Sequence, residues 1–159
     1  MTWRVQTLND GFLRRTREDG LDDLGQSVVR LTAQGDEPCR DALRRARPGE
    51  PLILASYSPF RQAGPYREYG PVYLLAAAQP QSSPSLPALL RRAGDDAYLG
   101  ERIALRAYDR REFMLEAMLV ELGLAADLLA RWAARPEVAS ALLRFPAQGC
   151  HALRLDRNG

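Results

Sequence analysis

The chain has no lysine. All 22 basic residues among its 159 are arginine, so lysine Schiff-base and P-loop chemistry are excluded, and any anion site must be built from guanidinium forks. A compositional bias of the genome explains this more simply than a demand for guanidinium at every position. Histidine is nearly as scarce, with His151 the only one. Cysteine occurs twice, at Cys39 and Cys150, too few for a disulfide scaffold. No apolar run reaches the roughly 18 residues of a membrane span. The opening MTWRVQTLND lacks the apolar stretch of a signal peptide. Together these absences predict a protein of the reducing cytoplasm that does not enter a membrane. Excess charge is also missing: the formal net charge is +2, which supplies no general drive toward nucleic acid or anionic lipid.

What is present is ordinary globular material, 46% hydrophobic and 26% charged. The length predicts one domain over residues 1–159, large enough to bury roughly 70% of its unfolded surface. Strand patterns lie at Trp3–Leu8, Ser27–Ala33, Leu52–Tyr57, Val72–Ala78 and Glu101–Tyr108. A polar helix is expected over Asp10–Gly20, with Asp10 as its cap. A second should run from Pro87 to Arg92 and a third from Ala125 to Arg135, after a turn at Gly123. Phe113–Leu122 has helix propensity but alternates, and is read as a strand. The turn signals Pro146 and Gly149 make Ala139–Phe145 and Cys150–Asp156 a hairpin. Helices and strands are unevenly segregated, which predicts an α+β fold: a mostly antiparallel mixed sheet with short helices packed on it.

The densest chemistry lies in Pro38–Ala78. Cys39, Ala42, Leu43 and Ala46 recur at i, i+3, i+4 and i+7, which predicts a short amphipathic helix beginning at Pro38. Between the strands at Leu52 and Val72 lies the loop Ser58–Gly70, rich in Pro, Gly, aromatic and charged residues. Loops of that composition between buried strands are where binding residues gather.

Pro38-Cys39-Arg40 with Leu43, Ser56-Tyr57 with Pro59-Phe60, Gly64-Pro65-Tyr66-Arg67-Glu68 and Gly70-Pro71-Val72-Tyr73 form a connected pattern, followed by Ala107-Tyr108-Asp109 and Gly149-Cys150. The chain resembles, from about Ser27 to Arg157, the bacterial family catalogued as domain of unknown function 1203. The resemblance implies no activity, but it favours strands at Phe113 and Val138. Family members often carry a second Cys where this chain has Ala42, and a His where it has Leu75. Metal or redox chemistry resting on those residues would be lost here.

Three functions follow as expectations. The first is binding of a small anionic metabolite or peptide, in a pocket between the Pro38 segment and the Ser58–Gly70 loop. Arg40, Tyr57, Tyr66, Arg67 and Glu68 are its candidate residues. The second is a cysteine-dependent enzyme using Cys39, at a helix start beside Arg40, with His151 as base and Glu68 or Asp109 orienting it. Against it, Cys39 lies on the apolar stripe, and His151 is expected to share a strand face with Leu153 and Leu155. The third is a structural or protein-interaction module. No cofactor is predicted, and Cys39, Cys150 and His151 have unhelpful spacing for zinc. Arg44, Arg45, Arg47, Arg91 and Arg92 read as a solvated face rather than a nucleic-acid surface.

Overall fold

Apolar alternation with period two places one stripe of each strand toward a core. In the computed structural model, which describes residues 3–80, 83–91 and 97–158, these strands form two five-stranded sheets. The first has the order β1 (Trp3–Gln6), β10 (His151–Arg157), β9 (Ser140–Arg144), β7 (Arg102–Tyr108), β8 (Met114–Glu121), with every neighbouring pair antiparallel. The second runs β2 (Val29–Thr32), β5 (Pro51–Tyr57), β6 (Gly70–Leu75), β3 (Pro38–Cys39), β4 (Arg44–Arg45); only β3 and β6 are parallel. Three short helices complete the α+β fold: α1 (Asp10–Arg14), α2 (Leu86–Arg91) and α3 (Leu122–Ala133).

Ile103, Leu105, Ala107, Ala141, Leu143, Leu153 and Leu155 line one face of the first sheet. They join Leu89 and Leu90 of α2 and Leu128, Leu129 and Trp132 of α3 in the main core. The Trp3 indole N–H donates to the Leu129 carbonyl at 2.9 Å, tying β1 to α3. The strands β8 and β9 both run antiparallel to β7, so the connection through α3 joins two parallel strands with β7 between them. The second sheet packs Ile53, Ala55, Tyr57, Val72 and Leu74 against Leu8 and Phe12.

Four local expectations are corrected. Pro38–Ala46 is not a helix. Its first turn does close, with Leu43 N–H donating to the Cys39 carbonyl at 2.8 Å, but Leu43 then takes φ 53° and the chain reverses into β4. One turn cannot meet the nucleation cost of a helix, whereas β3 gains pairing with both β6 and β4. The stripe is buried all the same: Leu43 enters the main core, while Cys39 and Ala46 pack with Ala33, Leu52 and Leu75. The cap of α1 is Asn9, whose side chain accepts the Phe12 N–H at 2.7 Å, and a π-helical turn over residues 15–19 carries the segment to Gly20, which closes it at φ 67°. Gly123 lies inside α3, which starts directly from β8. Finally, a bulge between His151 and Leu153 turns His151 away from Leu153 and Leu155, toward the sheet face of Arg144, Arg154 and Asp156. Arg92, the expected end of α2, lies outside the described residues.

Candidate functional site

The second face of the first sheet carries Tyr108, Leu142, Arg144, Arg154 and Asp156, and the loop between β5 and β6 lies over it. Phe60 packs edge-on to Tyr108 at 5.3 Å and Tyr66 does so at 6.4 Å. The first half of the loop is anchored by Glu112, in the turn between β7 and β8. Its carboxylate accepts the backbone N–H groups of Arg61 at 2.8 Å and Gln62 at 2.7 Å, and Arg154 Nη1 at 2.7 Å. Arg154 also donates to the Pro59 carbonyl and to Asp156, and Arg61 reaches the second Asp156 oxygen at 2.7 Å. Every charge in this cluster has an opposite partner, as buried ionic groups require.

Beyond it the loop returns through Glu68. Its carboxylate accepts Arg144 Nη2 and lies 3.4 Å from Arg106 Nη1. Arg144 Nη1 donates to the Gly149 carbonyl at 3.0 Å. Next to this pair is a cavity of about 170 Å³, walled in part by Tyr57, Glu68, Arg144, Cys150 and His151. Two polar atoms of these lining residues are buried without a protein partner, Arg144 Nε and His151 Nδ1, in residues only 4% and 6% exposed. Orphaned buried polar atoms are rare in folded proteins and call for a ligand, an ion or a water. Burial, then Arg144, Arg40 and Arg154, push the His151 imidazole well below its ordinary range, so it is neutral. The Tyr57 ring lies 5.6 Å from it, tilted.

A wider groove of about 790 Å³ adjoins the cavity, sharing Pro71, Gln148 and Cys150 with it. Leu54 and Tyr73 line it from the second sheet. Arg40 and Arg45 both lie over the Phe145 ring, at 5.1 and 5.3 Å. A still larger depression of about 1050 Å³ lies between α2, β7 and the start of α3, but its charged lining residues Arg91, Glu101, Arg102 and Glu121 are exposed.

The expected site residues are therefore only partly gathered. Tyr57, Glu68 and His151 meet at the small cavity. Arg40 lines the groove but is buried, and its donors are taken by the carbonyls of His151 and Pro38, each at 2.8 Å, and by Cys150 Sγ at 3.0 Å. Tyr66 is half-exposed against Tyr108 and Phe113, and Arg67 is exposed over the Tyr69 ring, both away from the cavity wall. Cys39 is fully buried, with its sulfur 3.6 Å from the Glu37 carbonyl. Burial, reinforced by Asp41, pushes its thiol up to about 12, the reverse of an activated nucleophile. No hydrogen bond joins Cys39 to His151 among the described residues. Asp109 instead caps its own turn by accepting the N–H groups of Arg111 and Phe113. Ala42 and Leu75 pack in the apolar cluster that holds Cys39. Among the described residues no three His, Cys, Asp or Glu side chains are grouped to hold a metal. Arg44 makes a two-pronged pair with Glu50 at 2.8 Å per contact rather than standing free.

Sequence reasoning missed Arg144 and Glu112. Arg144 had a signal: it ends the apolar run of β9, every residue of which is buried, and a charge in a buried strand calls for a reason. Glu112 had none, because its partners lie 42 to 51 positions away.

Residues 36–157 match the family model described as "Protein of unknown function (DUF1203)". No curated protein and no solved structure matches the chain.

Proposed function

This chain belongs to the DUF1203 family, and we propose that it binds a small anion, the carboxylate or phosphate of a metabolite or of a peptide end, in the cavity beneath the loop between β5 and β6. The observation that carries this reading is the pair of orphaned polar atoms, Arg144 Nε and His151 Nδ1, in two residues that line the cavity. The positive field of Arg144, Arg40 and Arg154 that keeps His151 neutral also favours an anion there. Glu68 shows the chemistry the wall accepts, because its carboxylate already sits between two guanidiniums. Glu68 is partly exposed on its loop, so an incoming anion competes with it for the Arg144 guanidinium. A cavity of about 170 Å³ is below the roughly 300–1,000 Å³ of drug-sized sites. It suits the charged end of a ligand, whose body, if it has one, extends into the adjoining groove.

Calorimetric titration of the protein with inorganic phosphate and with acetate tests this. Saturable binding of either, weakened about tenfold or more in Arg144→Gln, is expected. Absence of saturable binding, or unchanged affinity in a folded Arg144→Gln variant, rejects the cavity as the anion site.

A further inference from the structure

Arg40 is a buried cation without a carboxylate. It is 2% exposed, and among the described residues no Asp or Glu oxygen lies within ion-pair distance of its guanidinium. Two of its contacts are neutral carbonyls, and the third is Cys150 Sγ at 3.0 Å. Buried charges in folded proteins are compensated by an opposite charge, since an uncompensated ion costs several kcal/mol. The sulfur is the one contacting atom that becomes an anion by losing a proton. Cys150 is also half-buried, where Cys39 is sealed, and it lies on the shared wall of the cavity and the groove. Arg144 and His151, which hold the orphaned Nε and Nδ1, line the same cavity.

From this we infer that Cys150, its sulfur held by Arg40, is an oxidation site at which the thiolate form of the side chain reduces a small hydroperoxide. The sulfur attacks the terminal oxygen of RO–OH, the S–O bond forms and the O–O bond breaks. Sulfur loses two electrons to the peroxide, and the protein is left with a sulfenic acid. The departing alkoxide takes a proton from water. Arg144, a residue of the cavity wall, supplies positive charge where the negative charge of the leaving oxygen develops. The cavity volume of about 170 Å³ admits a hydroperoxide of a few heavy atoms. A liquid water occupies about 30 Å³. Cys39, in the same chain, is the internal control.

The test is trapping of sulfenic acid with dimedone while the folded protein is exposed to hydrogen peroxide, followed by peptide mapping. The adduct is expected on Cys150 and not on Cys39, forming about tenfold faster than on Cys150 of the same chain unfolded in urea. Equal or slower reaction in the folded protein overturns the proposal with no variant needed. Arg40→Gln is expected to slow the folded-state rate about tenfold, and Arg40→Lys to restore part of it. An unchanged rate in folded Arg40→Gln removes Arg40 as counter-ion and with it the proposal. If Arg40→Gln does not fold, folded Arg40→Lys decides instead, because replacing the fork by a point charge should lower the rate. The inference does not depend on anion binding: fast labelling of Cys150 in protein that binds neither phosphate nor acetate rejects the anion reading alone.

Discussion

Arg154 and Arg144 project from neighbouring strands onto the same face of one sheet, yet their surroundings oppose each other. Both are buried, and burial works against both charges. For Arg154, Glu112 and Asp156 outweigh it, and its pKa is raised. For Arg144 burial wins over Glu68, and its pKa is lowered. The first arginine has two buried carboxylates and a carbonyl. The second has one partly exposed carboxylate, one carbonyl and an empty Nε. A saturated buried cluster holds a loop in place, whereas an unsaturated one beside a cavity keeps capacity for something that the chain does not supply. The loop between β5 and β6 depends on both, with one half locked to Glu112 and the other held by Glu68 and by the packing of Tyr66 on Tyr108 and Phe113.

The largest expected effect breaks the saturated side. Glu112→Ala leaves Arg154 half-paired and two loop N–H groups without an acceptor, and should cost about 3 kcal/mol in urea denaturation. A loss below about 1 kcal/mol would show that the cluster does not hold the loop.

The unsaturated side has a pH signature. The native imidazole of His151 is pushed well below 6.5, so below about 6.5 the unfolded chain takes up a proton that the folded chain refuses. The contribution of neutral His151 is complete above that pH. Stability should fall as pH drops from about 6.5 toward 5, by at most about 1.4 kcal/mol per pH unit. His151 is the only histidine, so His151→Gln should flatten this window, measured by urea midpoints at each pH. A slope that survives the substitution assigns the proton elsewhere.

Arg144→Met should remove phosphate binding while changing the urea midpoint less than Glu112→Ala does, because it takes out a charge that burial already disfavours. Equal destabilisation by both would erase the contrast between the two arginines. The smallest effect is expected from Glu68→Gln, which removes an internal competitor from a partly exposed pair worth up to about 1 kcal/mol. Phosphate affinity should rise by about threefold, and a fall would make Glu68 part of the ligand shell.

Much of the fold was legible because strand faces have a local period. The alternation of Ile103, Leu105 and Ala107, the apolar runs at Leu52 and Val72 and the hairpin around Pro146 and Gly149 all appear in place. The failures have tertiary causes. Cys39–Ala46 has helical spacing, but so short a segment is governed by what it pairs with. A bulge, which leaves no mark on periodicity, moved His151 to the other face. Of the candidate residues, Tyr57, Glu68 and His151 stand at the cavity, while Arg144 and Glu112 went unnoticed in the sequence because their partners are distant in it.

By itself the sequence determined what each segment must bury, that guanidinium is the only permanently charged cationic side chain, and that a single imidazole is available, since these follow from residue type and near-neighbour spacing. The tertiary structure alone decided which charges find partners. Arg40 meets Cys150 across 110 positions, and Glu68 meets Arg144 across 76. Such pairings depend on strand register and loop path, which arise only when the two sheets pack.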